Sequence, residues 1–146
     1  SAKRYISKVS GPLLDRIDLQ IEVQPVPYEK LSSHFAGESS KAIRKRVRRA
    51  RKIQENRYRN SGCRDIRSLH CNAQMGVRET RHHCLVQPGA QDLLKEAMQS
   101  LQLSARAYDR ILRVSRTIAD LSQCNDIQAD HIAEAIQYRS MDRLWI

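Results

Sequence analysis

The sequence predicts a mainly α-helical protein with one isolated strand. Its 146 residues include one Trp, one Phe and five Tyr, so the apolar core must consist of Leu, Ile, Val and Ala, which favours helices. Apolar residues recur at helical spacing in residues 40–60 and again through 88–139. Only residues 17–23 alternate apolar and polar side chains with the period of two that is typical of a half-buried strand.

This strand has no visible partner elsewhere in the sequence. Four apolar residues alternate with polar ones, and Pro25 and Pro27 end the pattern because neither can donate a ladder hydrogen bond. A lone strand cannot satisfy its own backbone groups. It therefore either joins a sheet whose other strands are missing or stays loose, and we expect the chain to be the last part of a larger protein. The apolar positions are Ile17, Leu19, Ile21 and Val23.

The next predicted element is a long basic helix. Ser39 or Ser40 offers an N-cap, and the helix is expected to continue to about Asn60. It carries ten basic residues against Glu55 alone, and like charges on neighbouring turns repel one another. Either this face contacts a phosphate backbone or it is a solvated surface. The candidate nucleic-acid-binding residues are Arg44, Lys45, Arg48, Arg49, Arg51 and Lys52.

The overall charge agrees with a polyanionic partner. The chain has 26 Lys and Arg against 16 Asp and Glu, a formal net charge of +10. No aromatic residue except Tyr58 lies among the basic residues of the helix, so base stacking is not indicated. We expect sequence-independent binding to DNA.

Residues 60–87 show no clear period and contain Gly62 and Gly76, which predicts a mobile, basic connector. Three of the four cysteines and three histidines lie here. No cysteine pair has the close spacing of structural zinc sites, so we expect no metal and reduced thiols. These residues are Cys63, His70, Cys71, His82, His83 and Cys84, with Cys124 further along the chain.

Three helices are predicted after the connector. Pro88 suits the first turn of one helix, Leu103-Ser104 breaks the pattern and caps a second, and a third runs from about Ala129 to Arg139. We expect them to close into a small bundle, with His131 on its surface. The residues of the middle helix expected to face inward are Tyr108, Ile111, Leu112, Ser115, Ile118, Ala119 and Leu121.

Two motifs resemble a known family. The stretch Ser10-Gly11-Pro12-Leu13-Leu14-Asp15-Arg16-Ile17-Asp18 resembles the magnesium-chelatase-like AAA+ ATPases, in particular the bacterial competence (ComM-type) branch. Residues 103–139, which include Ser104-Ala105-Arg106, are also similar to that family. A cation in the first turn of a helix opposes the macrodipole, so Arg106 does not stabilise its own helix.

The resemblance implies a role for each arginine. Arg16 matches the arginine finger, which reaches the nucleotide of a neighbouring subunit, and Arg106 matches the sensor-2 arginine, which touches the terminal phosphate. The simpler alternative for Arg16 is a surface arginine paired with Asp15 or Asp18. A finger that acts across a subunit boundary implies a homo-oligomeric ring with heterologous contacts.

The resemblance also implies a fold and a division into domains. Residues 1–27 would end the AAA+ core with its last strand, residues 28–87 would form a connector with the basic helix, and residues 88–146 would form a three-helix lid. The fold class is then the C-terminal helical lid bundle of an AAA+ ATPase with one residual core strand.

We therefore expect ATP and Mg²⁺ in the full-length parent and neither bound to this fragment. The sequence G-x-x-x-x-G-K-[ST] does not occur in the 146 residues, nor does the acidic pair that would hold magnesium. The parent would couple ATP hydrolysis to DNA remodelling or translocation in the cytoplasm, without a membrane span. Two alternatives stay open: a stand-alone helical nucleic-acid-binding module, and the motor subunit of a true magnesium chelatase.

Overall fold

The computed structural model describes residues 16–28, 37–60 and 69–139. Within these ranges the protein is helical, which confirms the mainly α fold class. The elements are α1 (Ser40–Asn60), a 3-10 turn (Asn72–Gln74), α2 (Val77–His83), α3 (Pro88–Ser100), α4 (Ala105–Leu121) and α5 (Ala129–Gln137).

Helix α4 lies at the centre of the fold and packs against α1, α2, α5 and the 3-10 turn, while α3 packs against α5. The Ser104 side chain caps α4 by accepting a hydrogen bond from the Ala107 backbone N–H at 3.2 Å. Of the residues predicted to face inward, Tyr108, in the first turn of α4, is 40 % exposed, which contradicts the prediction at that position. The other predicted inward residues are buried, apart from the half-buried Leu121.

Residues 69–87 form part of the core, whereas the sequence predicted a mobile connector. Met75 and Cys84 belong to the same buried apolar cluster as residues of α3, α4 and α5. Val86 forms a parallel bridge with Ile127, whose N–H donates to the Leu85 carbonyl at 3.0 Å. The prediction failed because a 3-10 turn and a seven-residue helix are too short to show a period. The domain limits at 28 and 88 stay a prediction.

Residues 17–23 form no strand in this structure. A backbone hydrogen bond joins the Gln20 N–H to the Tyr138 carbonyl at 2.9 Å. Ile21 and Val23 are 67 % and 86 % exposed. No described segment pairs with this stretch as a sheet, so the strand stays a prediction for a longer chain. Residues 10–15 of the matching motif lie outside the described ranges.

The position of His131 corrects another prediction. This residue is 6 % exposed rather than on the surface. Its Nδ1 accepts a hydrogen bond from the Gln128 N–H at 3.1 Å, so the ring caps the first turn of α5. A capping histidine must fold back over the helix start, and here that places the ring in the interior.

A buried polar network joins α1 to α4. Asp120 is fully buried and forms ion pairs with Arg57 of α1 and Arg116 of α4. Asn72 donates to Asp120 at 2.9 Å and to Thr117 at 3.0 Å. Its side-chain oxygen accepts hydrogen bonds from Arg57 and Tyr58, and its backbone N–H donates to the Gln54 side chain. Buried charge is tolerated here because each polar group has partners.

We predict that Asp120→Ala lowers the free energy of unfolding by about 3–5 kcal/mol, because two guanidinium groups then lose their buried counter-charge. Urea denaturation followed by circular dichroism measures the change. Asp92→Ala, on the exposed face of α3, is the matched control and should cost less than about 0.5 kcal/mol. Equal effects of the two substitutions would contradict the role of the network.

Candidate functional sites

The segment that carries Arg16 is held against the helical bundle. Arg110 of α4 donates a hydrogen bond to the Arg16 carbonyl at 2.5 Å and forms an ion pair with Asp18. Arg139, which follows α5, donates to the Ile17 carbonyl at 3.1 Å. In the Arg16 segment, these bonds involve main-chain carbonyls and the Asp18 carboxylate. The Arg16 guanidinium takes no part in them and is exposed.

The Arg16 guanidinium has no hydrogen-bond or ion-pair partner among the described residues. Asp18, one of the two acids considered as its partner, pairs with Arg110 instead. Asp15, the other, lies outside the described residues. Of the two pairings in the simpler alternative, the structure therefore speaks against the one with Asp18, and the pairing with Asp15 stays untested.

Arg106 lies at the second position of α4 and is exposed. It too contacts no acid in the part of the chain that the structure describes. Arg110 follows four residues later, and residues four apart lie on the same face of a helix. The structure thus brings the Arg16 segment to the face of α4 that carries Arg106, about one helical turn away.

The six candidate nucleic-acid-binding residues lie together on α1. All six are exposed, and at 100° per residue they cover an arc of about 160°. Ala50 and Gln54, which are 4 % and 5 % exposed, lie on the opposite side of α1 and face the bundle. We call this arc of Arg44, Lys45, Arg48, Arg49, Arg51 and Lys52 the basic arc.

The first half of α1 extends past the bundle. Ile43 and Val47 continue the line of Ala50 and Gln54 but are 42 % and 39 % exposed. On one side of this half, a groove is lined by lysine and arginine side chains and by the C-terminal end of α4. The lining residues are Ala42, Lys45, Arg46, Arg49, Leu121 and Gln123. The basic arc therefore lies at the opposite end of α4 from Arg106.

Two other arginines of α1, Arg57 and Arg46, form ion pairs with acidic residues of the fold. Arg57 donates to Asp120 and Asn72, and its side chain is 16 % exposed. Burial alone would lower the pKa of Arg57, but its hydrogen bond to Asp120 and the charge of that carboxylate outweigh burial and raise the pKa. Arg46 forms a two-bond ion pair with Glu38, at 2.8 and 3.1 Å.

The cysteines and histidines of 69–87 do not converge on a metal site. Within the described ranges no group of three possible ligands among His, Cys, Asp and Glu lies together. The His83 ring instead packs edge-on against Tyr58 and His82, at centroid distances of 5.5 and 4.7 Å. Burial lowers the pKa of His83, with a smaller effect from the neighbouring His82. Cys63 lies outside the described residues.

Comparison with protein families gives two adjoining matches. Residues 37–139 match the family described as magnesium chelatase, subunit ChlI C-terminal. The chain belongs to the magnesium-chelatase-like family. Residues 1–31, which include Arg16, match the family described as magnesium chelatase, subunit ChlI. The AAA+ class follows from this membership, and the bundle around α4 is its helical lid.

Relatives of this magnesium-chelatase-like chain place it in the competence (ComM-type) branch. It is 40 % identical over 142 residues to the competence protein ComM of Haemophilus influenzae, which covers 97 % of this chain. It is 39 % identical over 144 residues, 98 % of the chain, to the uncharacterized protein YifB of Salmonella typhimurium. A third relative, the uncharacterized protein Mb2921c of Mycobacterium bovis, is 34 % identical over 137 residues, or 94 % of the chain. The chain spans 26 % of the length of each of these relatives.

None of the described helices has both the length and the apolar character that crossing a membrane requires.

We predict that the protein loses stability between about pH 9 and 12. Burial raises the pKa of Cys84 from 9.0 to about 12 and that of Tyr58 from 10.0 to about 12. Over this range the unfolded chain releases protons that the folded chain retains, so the contribution of these two groups to stability is complete below about pH 9 and falls as the pH rises.

Urea unfolding midpoints across this pH range test the expectation. Cys84→Ala should reduce the slope, because each thiol that titrates only in the unfolded state contributes up to about 1.4 kcal/mol per pH unit. Val86→Ala, at a half-buried position of the same apolar cluster and without an ionisable group, serves as the control and should leave the slope unchanged. A flat profile for the native protein would contradict the raised pKa values.

Proposed function

We propose that this chain supplies two phosphate-contacting arginines and a DNA-binding surface to a ring-forming ATPase that couples ATP hydrolysis to DNA remodelling or translocation. The observation that carries the proposal is the position of Arg16 beside the face of α4 that bears Arg106, with both guanidinium groups exposed. Similarity to a relative named as a competence protein supports the choice of DNA.

The two arginines suit the terminal phosphates of a nucleotide. A guanidinium is planar, permanently charged and able to donate to several phosphate oxygens. Arg16 would act as the arginine finger, stabilising negative charge on the transferred phosphoryl group, and Arg106 as the sensor-2 residue. Because the Arg16 segment contacts Arg110, one helical turn after Arg106 on α4, we propose that both arginines contact one nucleotide, held by the neighbouring subunit.

ATP and Mg²⁺ are the cofactors of this proposal, and their main binding elements belong to other parts of the parent. The 146 residues contain no G-x-x-x-x-G-K-[ST] sequence to cradle phosphates. What this chain offers is positive charge at the terminal phosphates. The partners are therefore copies of the parent in a ring, which we place in the cytoplasm, where ATP and DNA are both present.

The basic arc is proposed to bind DNA through its phosphates. It is exposed along its length and carries no exposed aromatic residue, so backbone contacts rather than base readout are expected. Arg106 and Asp120 are fourteen residues apart on α4, or about 21 Å along the helix. The basic arc lies beyond the Asp120 end, so nucleotide and DNA can be bound together.

For ATP turnover, we predict that Arg16→Ala and Arg106→Ala in the full-length parent each lower kcat by about 10³-fold. ATP binding should survive, because the phosphate cradle lies elsewhere. Steady-state phosphate release and binding of a fluorescent ATP analogue measure the two quantities. Arg78→Ala, an exposed arginine of α2, is the control. Wild-type turnover in both variants would refute the ATPase role.

For DNA binding, we predict that reversing three charges of the basic arc weakens affinity at least about tenfold and reduces the salt dependence. Each phosphate contact contributes about 0.9 to the slope of log K against log salt concentration. Fluorescence anisotropy with duplexes of unrelated sequence provides the measurement. The variant is Arg44→Glu/Arg48→Glu/Arg51→Glu, and its charge-matched control, at exposed positions of α2 and α3, is Arg78→Glu/Arg81→Glu/Lys95→Glu.

The two experiments separate the alternatives. If both triple variants bind DNA equally, the basic arc is a solvated surface. If the arc variant loses DNA while turnover is insensitive to Arg16 and Arg106, the protein is a stand-alone nucleic-acid-binding module.

A further inference from the structure

We infer that Arg110 is a positioning residue that fixes the Arg16 segment to the lid helix, so that Arg16 and Arg106 move as one unit. The catalytic part of this inference rests on the proposed function, whereas the docking of the Arg16 segment on α4 does not depend on it. Arg110 is the described side chain that contacts both the backbone of Arg16 and the carboxylate of Asp18.

The contact made by Arg110 is more than an exposed ion pair at the surface. Its side chain is 18 % exposed, against 52 % for Asp18, so the guanidinium lies largely inside the junction between segment and helix. One of its N–H groups lies within hydrogen-bond distance of both the Arg16 carbonyl and the Asp18 carboxylate. A main-chain carbonyl cannot rotate away as a side chain can, so this bond fixes the backbone from which the Arg16 side chain projects.

A second set of bonds prevents the segment from pivoting about Arg110. Arg139 donates to the Ile17 carbonyl, and the Tyr138 carbonyl accepts from the Gln20 N–H. Both residues follow α5, which packs against α4. The segment is therefore held at Arg16, Ile17, Asp18 and Gln20 by groups of two helices that are themselves packed together.

This arrangement assigns different tasks to two arginines one turn apart on α4. Arg106 is exposed and available to a ligand, whereas Arg110 is occupied by the Arg16 segment. Any rotation of the lid must then carry both candidate phosphate contacts together. Misplacing a group that contacts the reacting atoms by about 1 Å can reduce rate about 10²-fold.

The first experiment tests the docking itself in this 146-residue chain. Trypsin cleaves after Arg16, at the carbonyl that accepts the Arg110 hydrogen bond, so cleavage requires the segment to leave α4. We expect Arg110→Gln to speed cleavage of the Arg16–Ile17 bond about tenfold, the factor expected from one charge-assisted hydrogen bond. Peptide mass spectrometry identifies the site, and Arg78→Gln is the control. An unchanged cleavage rate in Arg110→Gln would overturn the inference.

The second experiment tests the catalytic consequence in the full-length parent. Arg110→Gln should lower kcat about 10- to 100-fold with the KM for ATP within about twofold. Asp18→Asn, which removes the ion pair and leaves the carbonyl bond, should have a smaller effect. In an Arg16→Lys background, which weakens the finger without eliminating turnover, Arg110→Gln should cause little further loss, because it acts through Arg16.

The outcomes distinguish the two levels of proposal. Normal turnover in Arg110→Gln, or losses that simply multiply in the double variant, would overturn the positioning role while leaving the arginine-finger proposal intact. Normal turnover in Arg16→Ala would instead overturn the proposed function, and the trypsin experiment would then decide the docking alone.

Discussion

The buried carboxylate of Asp120 is the constraint on which the arrangement of helices depends. It carries negative charge into the centre of a strongly basic protein, and its partners come from α1, the 3-10 turn and α4 itself. Charges inside a protein are tolerated only when they are paired and hydrogen-bonded. Few other orientations of α1 could satisfy Asp120, Arg57 and Asn72 together. The direction in which the basic arc faces is thus set by one acid on a different helix.

The same face of α4 organises the rest of the described structure. Its polar residues recur at steps of four and three, so they form one stripe along the helix. They contact two other segments: Arg110 holds the Arg16 segment, whereas Arg113 donates to the Met75 carbonyl and Thr117 accepts from Asn72, both at the 3-10 turn. In an ordinary helix bundle, such a polar face of a helix is exposed to solvent. Here it aligns one end of the chain with the long basic helix.

The sequence predicted the helices well where apolar spacing persisted over several turns, as in α1, α3 and α4. It could not distinguish Arg57 from the arginines around it, because the difference lies in Asp120, which is 63 residues away. The structural role of Arg110 could not be recognised either, because other basic residues surround it in the sequence. Its position four residues after Arg106 indicated only that the two lie on one face of the helix. The prediction of a mobile connector at residues 69–87 failed for another reason. The apolar side chains of these residues fill gaps between longer helices, and such contacts leave no periodic pattern in the sequence.

The distribution of paired and unpaired arginines bears on what the net charge of +10 means. Arg57, Arg110, Arg113 and Arg116 are engaged by carboxylates and carbonyls inside the fold. The exposed positive charge of the described residues includes one group at each end of α4, Arg16 with Arg106 on one side and the basic arc on the other, besides scattered residues such as Arg78 and Lys95. A continuous phosphate-binding surface would leave the middle of the helix exposed as well. A separation of about 20 Å along α4, over which these arginines are held by groups of the fold, fits the proposal of two distinct anions, each bound at its own end.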